Sequence, residues 1–127
     1  MTNLSEQLYA VGLLPVVTVD GPDHAVPLAQ ALVDGGIPAA EITFRTPAAA
    51  QSIAEIAQAF PNFLVGAGTV LTVRQAEEAV SAGAKFIVSP GLNPDVVQWC
   101  LDRGTPIYPG IASPTELEAA LRLGLTE

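Results

Sequence analysis

Two kinds of hydrophobic pattern alternate along the chain. Short runs rich in β-branched residues are typical of buried strands, and stretches in which apolar residues recur every three or four positions are typical of amphipathic helices. The short runs predict five strands, at residues 14–19, 39–44, 63–67, 85–89 and 105–109. The longer stretches predict one helix after each strand and a further short helix over residues 4–11, before the first strand.

Proline and glycine predict where the helices begin and end. A proline is well tolerated at the first helical position, because the N–H that it lacks would have no partner there. Helices are predicted to begin at Gly21-Pro22, Thr46-Pro47, Asn93-Pro94 and Ser113-Pro114, and the pairs Thr72/Gln75 and Ser113/Glu116 have the spacing of a capping box. Glycine adopts the left-handed conformation that closes a helix. Helices are predicted to end at Gly36, Gly83, Gly104 and Gly124.

The predicted strands begin about every 21 to 25 residues, which indicates β-α units and a parallel sheet. Both a doubly wound open sheet and a (β/α)₈ TIM barrel have such units. A dinucleotide-binding open sheet carries G-x-G-x-x-G after its first strand, whereas Asp20-Gly21-Pro22 follows the first strand here. Polar residues follow the predicted strands, where barrel enzymes have their active sites. We therefore expect an α/β fold, with residues 1–127 forming part of one (β/α)₈ barrel domain.

The second predicted strand carries the most informative polar residues. Side chains alternate between the faces of a strand, so Glu41, Thr43 and Arg45 share one face and Ile42 and Phe44 share the other. An unpaired ion inside a barrel costs several kcal/mol, so these charges need partners or a function. Two interpretations follow: a structural Glu41–Arg45 ion pair on a solvated edge, or the wall of an active site. We favour the active-site wall.

Composition and charge exclude several classes of protein. Half of the residues are hydrophobic, yet no apolar run is long enough for a membrane span, and the first residues lack the positive charge of a signal peptide, so we expect a cytoplasmic protein without membrane contact. A net charge of −8 argues against a nucleic-acid partner. One cysteine, Cys100, and one histidine, His24, make neither a disulfide framework nor a metal site. We expect no metal and no cofactor.

Four motifs, in order and register, resemble the 2-keto-3-deoxy-6-phosphogluconate / 4-hydroxy-2-oxoglutarate aldolase family. They are Glu41-Ile42-Thr43-Phe44-Arg45-Thr46, Val65-Gly66-Ala67-Gly68-Thr69-Val70, Val88-Ser89-Pro90-Gly91 and Tyr108-Pro109-Gly110-Ile111. The resemblance runs the whole length of the chain. It implies a (β/α)₈ barrel, usually trimeric, and class I lyase chemistry without a metal. In that chemistry a lysine on the sixth strand forms a Schiff base with a 2-keto acid, and the C3–C4 bond breaks to give pyruvate and an aldehyde.

The resemblance also implies roles for individual residues. Glu41 would be the catalytic general acid/base, Arg45 and Thr69 would bind the carboxylate and oxygen atoms of the 2-keto acid, and Pro90 would shape the pocket wall. It further implies a homotrimer that acts in the cytoplasm, in carbohydrate metabolism of the Entner-Doudoroff type.

The chain departs from the family pattern in its lysines. Its only lysine, Lys85, begins the fourth predicted strand and is expected at the amino end of the barrel, opposite the catalytic end. The family's Schiff-base lysine lies about two residues beyond the position that matches Glu127, so we expect the chain to stop before its sixth strand and the lysine to follow. Two alternatives stay open: a catalytically inactive half-barrel that serves as an oligomeric scaffold, and a different phosphosugar barrel enzyme.

Overall fold

The computed structural model describes residues 3–127 and contains one parallel sheet of five strands. The strands pair in chain order, each with the next. They are β1 Val16–Val17, β2 Ala39–Thr43, β3 Leu64–Gly68, β4 Ile87–Ser89 and β5 Ile107–Pro109. A doubly wound sheet reverses its strand order at a switch point, whereas a barrel keeps sequential order. The observed order is therefore that of a barrel, and the five predicted β-α units are confirmed.

The described residues form six α-helices in addition to the sheet. They are α1 Leu4–Val11, α2 Ala25–Asp34, α3 Ala49–Ala59, α4 Val73–Ser81, α5 Pro94–Asp102 and α6 Pro114–Arg122. The predicted helix over residues 4–11 is confirmed, and four later helices are followed by the predicted glycines, whose φ angles lie between 66° and 102°. None of the helices in residues 3–127 is long and apolar enough to span a membrane.

One predicted helix start is confirmed with a 3₁₀ first turn, and another is wrong. Gly21-Pro22 opens a 3₁₀ turn, and α2 begins only at Ala25. Thr46-Pro47 lies in a turn, and α3 begins at Ala49 without a side-chain cap. The Thr46 hydroxyl instead donates to the carbonyl oxygen of Val19 at 2.6 Å, which directs this side chain toward the loop after β1, and no side chain caps α3. This bond joins the loops that follow β1 and β2.

The predicted capping boxes form in part. The Thr72 hydroxyl accepts from the N–H of Gln75, but the Gln75 side chain accepts from Leu71, the residue before the cap, at 2.8 Å. The same arrangement occurs at α6, where Ser113 caps Glu116 while the Glu116 carboxylate accepts from the N–H of Ala112. In each case one more backbone donor is satisfied than the cap alone would satisfy. A complete capping box forms only at α1 among these helices, between Asn3 and Glu6.

The two faces of the sheet have different roles. Alternate strand residues, including Ile42, Val65 and Ile87, are fully buried and share one hydrophobic cluster with Ile53 of α3 and Val96 of α5. That cluster packs the outer face of the sheet against the helices and holds the strands in place. The residues between them face inward, and Glu41, Thr43, Gly66 and Gly68 of β2 and β3 lie on this inner face.

Candidate active site

Glu41 occupies the middle of β2 on the inner face of the sheet. It pairs with Val16 of β1 on one side and with Gly66 of β3 on the other, and it is 6% exposed. Within residues 3–127 its carboxylate has no hydrogen bond and no ion pair. Burial raises the pKa of Glu41, and the positive charge of Arg45 opposes that rise only in part. The side chain therefore holds a proton more readily than an exposed glutamate, as a group that moves protons must.

The carboxylate of Glu41 fits beside β3 because two inward positions of β3 are glycines. A Cβ atom on Gly68 would stand 2.9 Å from the carboxyl carbon of Glu41 and closer still to one carboxylate oxygen. A Cβ atom on Gly66 would overlap the ring of Phe86. At these two positions β3 therefore presents backbone to the interior, and the space is occupied by one carboxylate and one aromatic ring.

Glu41 borders a cavity of about 480 Å³ whose other walls are mostly apolar. The lining residues are Ser5, Leu8, Leu14, Glu41, Val88, Tyr108 and Glu127. Helix α1 contributes Ser5 and Leu8 to the lining, and the hydroxyls of Ser5 and Tyr108 are hydrogen-bonded at 2.8 Å. The Tyr108 ring meets Phe86 edge to face at 6.2 Å, and Ser5 also donates to the Glu127 carboxylate. These apolar walls explain why water does not stabilise the charged form of Glu41.

The other three predicted site residues follow the carboxyl ends of neighbouring strands. Arg45 is exposed two residues beyond β2, Thr69 follows β3 directly, and Pro90 follows β4 directly. The loops are joined, because Phe44 donates to Gly68 and Val70 donates to Val88 through backbone hydrogen bonds. The structure thus brings Arg45, Thr69 and Pro90 to one edge of the sheet.

The backbone of Thr69 is strained. Its φ angle is +56°, and it is the only residue other than glycine with a positive φ in the part of the chain that the structure describes. A β-branched residue in the left-handed region costs about 1–3 kcal/mol. Such strain is concentrated at functional sites, which agrees with the expected role of Thr69.

The alternative of a structural Glu41–Arg45 ion pair is not supported. Glu41 is buried, not on a solvated edge, and no ion pair within 4.0 Å joins the two side chains among the described residues. Arg45 acts on Glu41 only at longer range, through its charge. Both charged groups therefore stay available for another partner.

Three inner-face residues, Thr18, Gly68 and Phe86, were given no role in the sequence analysis. The hydroxyls of Thr18 and Thr43 are hydrogen-bonded at 2.8 Å, next to Glu41 along β2. Gly68 borders the Glu41 carboxylate, and Phe86 fills the space beside Gly66. The alternation of strand faces already placed Gly66 and Gly68 on one side of β3. What the sequence could not show was that this side faces Glu41.

Lys85 lies away from this constellation, as expected. It precedes β4, and its ammonium group donates to the carbonyl oxygen of Pro61, which precedes β3, at 2.8 Å. Both residues are at the amino ends of their strands, whereas Arg45 and Thr69 are at the carboxyl ends. The prediction that Lys85 lies at the opposite end from the site is confirmed.

Cys100 and His24, the other candidate reactive groups, do not have the surroundings of a reactive site. Cys100 is fully buried, and burial raises the pKa of its thiol to about 11 although the Arg103 charge lowers it, so it stays protonated and unreactive. His24 lies 3.8 Å from Asp23, with both side chains exposed. No group of three or more potential metal ligands occurs within residues 3–127.

Comparisons with known proteins agree on one family. The family model for KDPG and KHG aldolases matches residues 4–127. The 2-dehydro-3-deoxy-phosphogluconate aldolase of Treponema pallidum is 55% identical over 99% of this chain and 60% of its own length. A KDPG aldolase from Legionella pneumophila, crystallised with pyruvate captured as a covalent carbinolamine intermediate, superposes with a TM-score of 0.85 at 39% identity, over 88% of this chain and 54% of its own.

A designed porous cage, made by fusing symmetric oligomeric domains, also matches, with a TM-score of 0.80 and 33% identity over 87% of this chain and 42% of its own. The similarity to these solved structures identifies residues 3–127 as the α1 helix and five β-α units of a TIM barrel. The predicted fold class is thereby confirmed. The chain spans 57–60% of the length of the first curated relatives that it matches.

Proposed function

Because the chain belongs to the KDPG and KHG aldolase family, we propose that the whole protein is a class I aldolase. It cleaves 2-keto-3-deoxy-6-phosphogluconate, or 4-hydroxy-2-oxoglutarate, to pyruvate and an aldehyde. The observation that carries the proposal is the carboxyl group of Glu41, which is buried, has no hydrogen bond within residues 3–127 and has a raised pKa beside an apolar cavity. A structural carboxylate would have partners in such a place.

Imine chemistry explains the use of this carboxyl group. A neutral amine adds to the C2 keto carbon of the substrate, and the carbinolamine that forms must receive a proton on oxygen before water can leave. Carbon–carbon cleavage then requires removal of the proton from the C4 hydroxyl, while the electrons of the C3–C4 bond move into the iminium group. In our proposal Glu41 gives the first proton and removes the second, which requires a group that exchanges protons near neutral pH.

Arg45, Thr69 and Pro90 hold the substrate in this proposal. Arg45 offers a planar guanidinium at the carboxyl end of the sheet, and such a group binds a carboxylate through two parallel hydrogen bonds. Thr69 adds a hydroxyl from the next loop, held in place by its strained backbone. Pro90, after β4, forms a rigid part of the wall.

The reactive amine is not Lys85 in this proposal, because that side chain is bound to Pro61 at the other end of the sheet. We place it on a sixth strand, beside β5 and outside residues 1–127. There it would lie along the inner face on which Glu41 has no hydrogen-bond partner among residues 3–127. The greater length of the curated relatives supports this part of the proposal.

We also propose that the whole protein is a homotrimer and acts in the cytoplasm, in the Entner-Doudoroff pathway. The match to a designed cage of fused symmetric oligomeric domains supports a symmetric assembly. Apolar side chains on α6, among them Leu117 and Leu121, are exposed and are available for contacts with further chain or with another subunit.

Borohydride trapping tests the proposed function. The complete protein is incubated with pyruvate and sodium borohydride, which reduces an imine to a stable secondary amine, and the modified peptide is identified by mass spectrometry. We expect one modified lysine, outside residues 1–127, and no adduct when borohydride is omitted. An adduct on Lys85 would overturn the placement of the amine. Absence of any adduct would reject the aldolase and favour the inactive scaffold.

A further inference from the structure

One steric relationship at the Glu41 carboxylate involves a residue with no side chain. Gly68 ends β3, in register with Thr43 of β2, and a Cβ atom there would lie 3.3 Å from Cγ and 2.9 Å from Cδ of Glu41. Contacts below 3.0 Å are not adopted by real Cβ atoms, and the nearer carboxylate oxygen would be closer still. An alanine at this position would therefore displace the carboxyl group.

Backbone conformation does not explain this glycine. Gly68 lies in a strand and is not among the glycines with positive φ, which are Gly12, Gly36, Gly83, Gly104 and Gly124. Any residue adopts the backbone conformation found here. What glycine supplies at position 68 is therefore space, and the group that fills the space is the carboxylate of Glu41.

The neighbouring glycine provides a useful contrast. The space at Gly66, two residues earlier on the same face, is filled by the Phe86 ring, so that glycine serves apolar packing. Gly68 instead accommodates a polar group that has no hydrogen bond among residues 3–127. A carboxyl group without a hydrogen bond is not held in place by a bonded partner, so the surface against which it lies limits where its oxygens can be.

We propose that Gly68 is a positioning residue for the aldolase reaction: its missing side chain sets the place of the Glu41 carboxyl group relative to the substrate. This proposal rests on the proposed function. Gly68 does not touch the reacting atoms, and it acts through Glu41. A displacement of about 1 Å in a group that transfers protons costs on the order of 10²-fold in rate, so a single methyl group is sufficient to impair the reaction.

The test compares Gly68→Ala with Gly35→Ala in the complete protein. Gly35 has φ −81° at the end of α2, where a Cβ atom would lie 3.3 Å from the carbonyl oxygen of Ala31 and would not meet any site residue, and it serves as the control for a glycine-to-alanine change. We expect Gly68→Ala to lower kcat about 10- to 100-fold while KM stays within about 3-fold, because proton transfer is impaired and substrate binding is not. Gly35→Ala should keep both parameters. Full activity of a folded Gly68→Ala protein would overturn the proposal.

A second background separates positioning from a general effect on β3. Glu41→Asp withdraws the carboxyl group from Gly68 by one methylene, which leaves room for a Cβ atom. We expect Gly68→Ala to reduce kcat less than about 3-fold in that background, so that the two changes are strongly non-additive. An equal fold loss in both backgrounds would show that Gly68 acts through the strand and not through Glu41. Failure of Gly68→Ala to fold in both backgrounds would lead to the same conclusion.

One further measurement separates this proposal from the proposed function. The pKa of the Glu41 carboxyl group is measured by carbon-13 NMR in the native protein and in the two alanine variants. If the native protein shows no aldolase turnover, the proposed function fails, whereas a changed pKa in Gly68→Ala alone would still support positioning by Gly68. An identical pKa in all three proteins would reject it.

Discussion

The hydroxyls of Thr18 and Thr43 are 2.8 Å apart and hydrogen-bonded to each other, across β1 and β2. Thr43 lies between Glu41 and Arg45 on the same face of the chain and is fully buried. Its hydroxyl therefore has its partner within the protein, whereas the two charged groups on either side of it have none within residues 3–127. Mutations of Glu41 and Arg45 are for that reason the most informative ones.

Glu41→Gln should lower turnover of the complete protein about 10²- to 10⁴-fold, the usual contribution of a positioned acid or base. The amide has nearly the volume of the carboxyl group but transfers no proton, so the fold should persist. Steady-state kinetics and circular dichroism check both statements. Glu77→Gln, on the exposed face of α4, is the matched control and should behave as the native protein. Unaltered turnover in folded Glu41→Gln would remove Glu41 from the mechanism.

Arg45→Ala should weaken binding of the 2-keto acid about 10- to 100-fold, since a hydrogen bond to a charged group contributes about 1.5–3 kcal/mol. Arg45→Lys keeps the charge but loses the forked geometry, so its affinity for the 2-keto acid should lie between those of the native protein and Arg45→Ala. The dissociation constant for pyruvate, measured by calorimetry, reports the effect. Arg74→Ala removes an exposed arginine that pairs with Glu78, and it should leave the dissociation constant for pyruvate unchanged. Native affinity in Arg45→Ala would disprove the carboxylate-binding role.

Glu116 should make stability depend on pH. The N–H of Ala112 donates to its carboxylate and, as the main cause, lowers the pKa of Glu116 in the folded protein. A lowered pKa stabilises the fold above the unfolded-state value of about 4.3, and this contribution is lost as the pH falls through the folded value. Glu116→Gln should therefore destabilise more at pH 7 than at pH 3 in urea titrations. Glu118→Gln is the control, and an equal effect of Glu116→Gln at both pH values would contradict the prediction.

Tyr108→Phe should reduce the free energy of unfolding by about 0.5–1.5 kcal/mol, the net contribution of one hydrogen bond. The change removes only the hydroxyl that bonds to Ser5, and the ring contact with Phe86 remains. Tyr9→Phe makes the same change at a side chain that is 90% exposed and should have no effect. Chemical denaturation measures the free energy of unfolding of both variants. If Tyr108→Phe is as stable as Tyr9→Phe, this hydrogen bond does not hold α1 in place.

Local rules were sufficient for the architecture. The helix stops at Gly83 and Gly104, and the cap at Asn93, depend on residues within a few positions of one another, and all were found as predicted. The start of α3 was mispredicted, and the Thr46 hydroxyl there bonds to Val19, which is 27 residues away. A rule based on residues that are adjacent in the sequence cannot take into account a hydrogen bond to a residue so distant in the chain.

The site was predicted only in part for the same reason. The alternation along β2 placed Glu41 and Arg45 on one face, and the family resemblance added Thr69 and Pro90. That the Gly68 position gives space to Glu41 depends on the register of β2 against β3, in which Thr43 pairs with Gly68. Register is a relationship between strands and is not contained in either strand alone.

The bond between Ser5 and Tyr108 joins residues that are 103 positions apart in the chain. A ribosome adds about 5–20 residues per second, so Ser5 waits on the order of 5 to 20 seconds before its partner is made. Throughout that time α1 has no fifth strand to pack against. Helix α1 is thus synthesised well before β5, and it reaches its contact with Tyr108 only after β5 has been made.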